Sequence, residues 1–184
     1  MLTAEEFLTH PAARGPSELV RGEIRMMTPA GGRHGIVTAA IFGLLWTHAR
    51  PRRLGQGFAG NTGFQLHIPG ERGDTVRAPD VAFVRAERMP RGGVTGGWMQ
   101  GAPDLAVEVL SPSESTATTA AKLADYFAAG TALVWVVDPD ARTVDVYTGS
   151  ATHRRLYPGD RLDGAPVLPD FACPVDELFE GLAP

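Results

Sequence analysis

The sequence predicts one domain of mixed α and β structure: a central mixed sheet flanked by helices, with an additional β-rich N-terminal part. Three observations carry that prediction. Apolar runs of strand length recur at 79–84, 105–110 and 131–137. A helix pattern with the apolar stripe Leu123, Tyr126 and Phe127 separates the last two. No repeat, low-complexity tract or linker divides the 184 residues, a length that suits a single core.

In chain order, residues 1–16 read as a short helix and a Pro/Gly-containing loop. Residues 18–27 read as a hairpin turning at Arg21-Gly22. After a break at 29–32, Val37, Ile41, Leu44, Leu45 and His48 recur at helical spacing from His34 to about Ala49, and Pro51 closes that helix. Short strands are expected near 57–59 and 63–68, a turn at 70–73, and a strand at 79–84. The glycine-rich stretch 90–101 reads as a loop. After the strand at 105–110, Ser111 serves as N-cap, Pro112 fits the first turn and Glu114 completes a capping box. That helix runs towards Ala129 and stops at Gly130. Strands follow at 131–137 and 143–148, one or two more within 153–168, and a helical turn at 176–179.

Hydrophobic content of 43% and charged content of 21% are those of an ordinary globule. The formal net charge of -4 argues against a dedicated nucleic-acid coat. It is compatible with acids clustered at a metal site. The N-terminus lacks the basic and apolar regions of a signal peptide, no apolar run is long enough to span a bilayer, and Cys173 is the single cysteine, so a cytoplasmic protein is expected.

The chemistry lies in two acids on apolar strands. Asp80 follows Ala78-Pro79, and Glu108 sits in Leu105-Ala106-Val107-Glu108-Val109-Leu110. A carboxylate inside such a strand is costly. Two brought together call for a positive partner, and a hard divalent cation with oxygen ligands, Mg²⁺ or Mn²⁺, fits. Alternation puts Asp104, Ala106, Glu108 and Leu110 on one face and Leu105, Val107 and Val109 on the other. The Val109 backbone carbonyl is a further candidate ligand. Lys122, the only lysine in the chain, lies on the following helix, where its ammonium could orient an attacking water or stabilise developing charge on a phosphodiester. Arg33, Arg77 and Arg85 are candidates for meeting phosphates. The rival readings are a buried Glu–Arg pair at Glu108, turn chemistry at Asp80, a solvated helix face at Lys122 and a polar cap at His34.

Several segments together resemble one family. Glu18-Leu19-Val20-Arg21-Gly22-Glu23, Arg33-His34-Gly35 and residues 77–84 are followed by 101–113, 122–130 and 134–139. Their order and spacing resemble the Uma-two family of restriction-endonuclease-like proteins over nearly the whole chain. The resemblance implies the PD-(D/E)xK nuclease fold, with Asp80 as first acid and Glu108 as second. In the usual motif a lysine follows two residues after the second acid, but Leu110 stands there, and the resemblance assigns that role to Lys122. Glu23 and His34 match family positions at the edge of the site. DNA as substrate, a divalent metal and a homodimer are the implied partners. The alternatives are a non-catalytic module of the same fold that binds nucleic acid or protein, and a hydrolase of small phosphates.

Overall fold

The computed structural model describes residues 1–112, 115–150 and 152–183. Helix α1 (Ala4–Thr9) starts on a capping box in which Thr3 and Glu6 exchange side-chain-to-backbone hydrogen bonds. The expected hairpin is β1 (Ser17–Val20) and β2 (Glu23–Met26), joined through Arg21 and Gly22, both at positive φ as such a turn requires.

Helix α2 (Gly32–Arg52) is longer than expected at both ends. Pro51 lies inside its last turn rather than closing it. The helix stops at Arg53, whose left-handed conformation lets its N–H donate to the Ala49 and Arg50 carbonyls. Next come β3 (Gly55–Ala59), β4 (Phe64–Leu66), β5 (Thr75–Arg77) and β6 (Val81–Arg85). Strand β5 was not expected, since three residues are too few for an alternation pattern. Strand β7 (Met99–Gln100) emerges from the end of the glycine-rich stretch.

The buried strand β8 (Leu105–Val109) leads to helix α3 (Thr116–Ala128), then to β9 (Leu133–Asp138). Ser115, not Ser111, is the N-cap of α3, its Oγ accepting from the Thr118 N–H. The reason is that Leu110 still donates its N–H to Val137, which holds the chain extended past β8. Ser115 then offers the same cap chemistry one turn later. The expected partner of that capping box, Glu114, lies outside the described residues. The helix ends as expected before Gly130, which sits at φ +98°. The remaining strands are β10 (Thr143–Gly149), β11 (Thr152–Leu156), β12 (Arg161–Asp163) and β13 (Ala172–Pro174), followed by a 3₁₀ segment at Val175–Phe179.

The central sheet runs β11-β10-β9-β8-β6-β3, antiparallel except for the β8/β9 pair that α3 connects. A second sheet runs β2-β1-β5-β4-β7, so the extra β structure draws on residues well beyond the N-terminus. The predicted alternation on β8 holds. Leu105, Val107 and Val109 pack with α2 and the C-terminal segment on one face, while Ala106 packs with Leu123 and Tyr126 of α3 on the other. No helix among the described residues is long and apolar enough to cross a membrane.

One buried side chain ties the second sheet to α3. Arg77 on β5 donates to Glu18 Oε2 on β1 at 2.6 Å, and to Asp125 Oδ2 on α3 at 2.8 Å from Nε and 2.5 Å from its second terminal nitrogen. All three residues are at most 4% exposed. Glu18 also accepts from the Ala78 N–H, and Arg21 bridges Asp125 to Glu71 at the surface. Removing one partner of a buried pair strands the others. Arg77→Met is therefore expected to cost about 3–5 kcal/mol, read as a lower urea midpoint at unchanged m.

Candidate active site

Strands β6 and β8 pair through Val81↔Val107, so one further step sets Asp80 across from Glu108 on the α3 side of the sheet. Asp80 precedes β6, where Pro79 can add no backbone donor to the ladder. Its Oδ2 accepts the Val109 N–H at 2.7 Å, and its Oδ1 lies 3.2 Å from His34 Nε2 at the start of α2. The Asp80 side chain keeps 17% exposure at the wall of a cavity of about 1280 Å³.

Glu108 is deeper, at 2% exposure. Lys122 Nζ donates to its Oε2 at 2.7 Å, and the Tyr126 hydroxyl donates to its Oε1 at 2.6 Å. Lys122 and Tyr126 are four residues apart on α3 and therefore share a helix face. Thus Lys122, fourteen residues from Glu108 in sequence, reaches it from the helix.

Burial pushes the Glu108 carboxyl up to about 7. The Lys122 ammonium pulls it back, and the charges of Asp80 and Glu18 raise it further. Burial likewise holds the Tyr126 phenol well above its ordinary value, so it stays a hydrogen-bond donor.

The structure brings Asp80, Glu108, Lys122, His34 and the Val109 backbone to one place. Glu23 stands apart, exposed and paired with Arg25 at 2.7 Å. Arg77 is committed to Glu18 and Asp125, Arg33 pairs with Asp140, and Arg85 lies 3.8 Å from Asp104. The sequence reading missed Tyr126, Glu18 and Asp125. Tyr126 had a usable signal, its i+4 position from Lys122. Glu18 and Asp125 had none, because their common partner Arg77 is 59 and 48 residues away.

The candidate donors, two carboxylates with the backbone carbonyl expected at Val109, are hard and would suit a divalent ion that keeps several waters. Among the described residues no group of three or more His, Cys, Asp or Glu side chains could hold a metal ion. Water and substrate oxygens would have to supply the remaining ligands.

A family model described as "Putative restriction endonuclease", Uma2, matches residues 4–176. The chain belongs to the Uma2 family. The crystal structure of a putative nuclease of the DUF820 group from Anabaena variabilis is similar to this Uma2 chain, with TM-score 0.83 and 22% identity, covering 97% of this chain and 98% of that one. At that identity the likeness establishes the fold. No curated protein matches.

The raised Glu108 carboxyl has a consequence for this Uma2 protein without metal. Its folded value, about 7, exceeds the unfolded value near 4.5. Its contribution to stability is therefore full below pH 4.5 and is lost as pH rises through about 7. Melting temperatures of parent and Glu108→Gln between pH 5 and 8 check this: the parent is expected to lose stability relative to the variant across that range.

Proposed function

We propose that this Uma2 protein is a divalent-metal-dependent nuclease that hydrolyses phosphodiester bonds in DNA. The observation that carries the reading is the buried Glu108 carboxylate with the Lys122 ammonium 2.7 Å away, beside Asp80 at the cavity wall. The nuclease reading calls for a lysine beside the second acid, and the position of Lys122 on α3 supports it.

Asp80 and Glu108, with the Val109 carbonyl, would hold Mg²⁺ or Mn²⁺. When bound, the ion supplies positive charge for the phosphate oxygens and lowers the pKa of a water. The chain's own groups do the rest. The Val109 N–H fixes the Asp80 carboxylate, leaving Oδ1 towards His34 and the cavity. Tyr126 fixes the Glu108 rotamer from behind. Lys122 orients the attacking water and stabilises charge developing on the phosphoryl oxygens. The new water-to-phosphorus bond forms as the bond to the leaving sugar oxygen breaks; the attacking water gives up a proton to solvent and the leaving oxygen takes one from it.

One observation favours a non-catalytic module instead: both Glu108 oxygens are already engaged, by Lys122 and Tyr126. Metal binding separates the two readings. Because Glu108 titrates near 7, Mn²⁺ affinity is expected to rise with pH up to about 7 and then level, with proton release on binding that fades above it. Calorimetry in buffers of different ionisation enthalpy reads this. Absence of any Mn²⁺ binding that depends on Asp80 and Glu108 would favour the module.

The direct test is cleavage of supercoiled, linear and single-stranded DNA with Mg²⁺ or Mn²⁺. Asp80→Ala and Lys122→Ala are each expected to lose about 100-fold or more in rate. Lys122→Ala is expected to fold, since alanine suits a helix and Glu108 can keep its proton once the ammonium is gone. Equal cutting by parent and variants would sink the assignment.

A further inference from the structure

A ridge of side chains at i+4 spacing runs along α2 from the candidate site. His34 Nε2 is 3.2 Å from Asp80, and its Nδ1 is 3.3 Å from Thr38 Oγ1. Phe42 and Trp46 follow, stacked at 6.0 Å with an interplanar angle of 13°. Arg50 comes next, its guanidinium carbon 5.3 Å from the Trp46 ring centroid. His34, Thr38 and Phe42 line the cavity, so the ridge is continuous with it. From His34 to Arg50 it is about 24 Å long at the rise of an α-helix.

The aromatic pair lies at the edge of the core: Phe42 packs against it, and both rings are partly buried. The buried stripe of α2 is Val37, Ile41, Leu45 and Ala49, one position round from the ridge. Phe42 and Trp46 keep partial exposure. Phe42 leans on β3 where Gly57 leaves it room: a Cβ there would lie 3.1 Å from the Phe42 ring. Beside the ridge, Gly35, Ala39, Gly43 and Thr47 are exposed and small, and form a low floor. At the far end, Arg50, Arg52 and Arg53 are exposed in a chain of net charge -4.

We propose that this ridge of α2 is a track for single-stranded DNA that leads to the Asp80 end of the site. Its destination rests on the nuclease reading; the binding itself does not. Partly exposed aromatic rings suit unpaired bases, whose π-faces a duplex conceals. The arginines at the far end meet phosphates, and the small-residue floor gives the backbone a place to lie. Exposed arginines stand at the cavity end as well, Arg33 paired with Asp140 and Arg25 with Glu23, so phosphate contacts are available at both ends of the ridge and the aromatic pair between them carries the preference for a single strand.

The test is fluorescence anisotropy of a labelled (dT)12 oligonucleotide, and of a 12-base-pair duplex, with the full chain in EDTA. The oligonucleotide is expected to bind more tightly than the duplex. Trp46→Ala is expected to weaken (dT)12 binding by about tenfold with the cooperative fold retained, and Trp46→Tyr to restore it. Arg50→Gln is expected to lower the salt slope for (dT)12 by about 0.7. Duplex binding as tight as (dT)12 binding, or a Trp46→Ala affinity within about twofold of the parent, would overturn the track. The two readings fail separately. Single-strand binding with no metal-dependent cleavage sinks the nuclease and keeps the track. Cleavage with binding that ignores Trp46 does the reverse.

Discussion

The Arg77 guanidinium holds the molecule's two parts in register. It reaches Glu18 on one side and Asp125 on the other, and so fixes the second sheet against the helix that carries Lys122 and Tyr126. The desolvation of three charged groups offsets much of their attraction, so such a cluster contributes little net stability compared with an apolar core of the same volume. What it supplies is orientation. Asp125 adjoins Tyr126 in sequence, and the fork on Asp125 sets the rotation of α3 about its own axis. That rotation decides whether the ammonium and the phenol meet Glu108.

The site illustrates how a buried acid is tolerated. Glu108 stands on an otherwise apolar strand and is opposed by Asp80 and Glu18, and burial alone raises its proton affinity. Lys122 answers the charge and Tyr126 answers the second oxygen, so neither lone-pair set is left bare. Asp80 sits at the strand end, in partial contact with solvent, with a backbone N–H as its fixed partner. Its environment requires no comparable compensation. Two carboxylates in one site thus differ in accessibility and in the partners that hold them.

Much of this was legible in the sequence, and the failures have local causes. Alternation on β8 correctly sorted Leu105, Val107 and Val109 from Ala106 and Glu108. The two acids stood out because their neighbours were apolar, and Lys122 because no other lysine exists in the chain. The Glu18–Arg77–Asp125 cluster left no trace, since long-range ion pairs have no periodicity. Strands β5 and β7 were too short to show one. The start of α3 was misplaced by a turn because Ser111 and Ser115 carry the same capping chemistry, and only the hydrogen bond from Leu110 to Val137 decides between them.

Supplying the lysine from a helix changes how such a site can vary among sequences. A lysine two residues after the acid on one strand is locked to it by the strand's pleat. Here the spacing that geometry holds rigid is Lys122 to Asp125 to Tyr126, within a helix, while the connection from the end of β8 at Val109 to the start of α3 at Thr116 lies outside it. Insertions or deletions in that connection are neutral so long as the helix docks through Asp125, whereas one residue added inside the helix turns the ammonium away by about 100°. A fixed-interval pattern anchored on the acid would then overlook relatives that keep the same geometry.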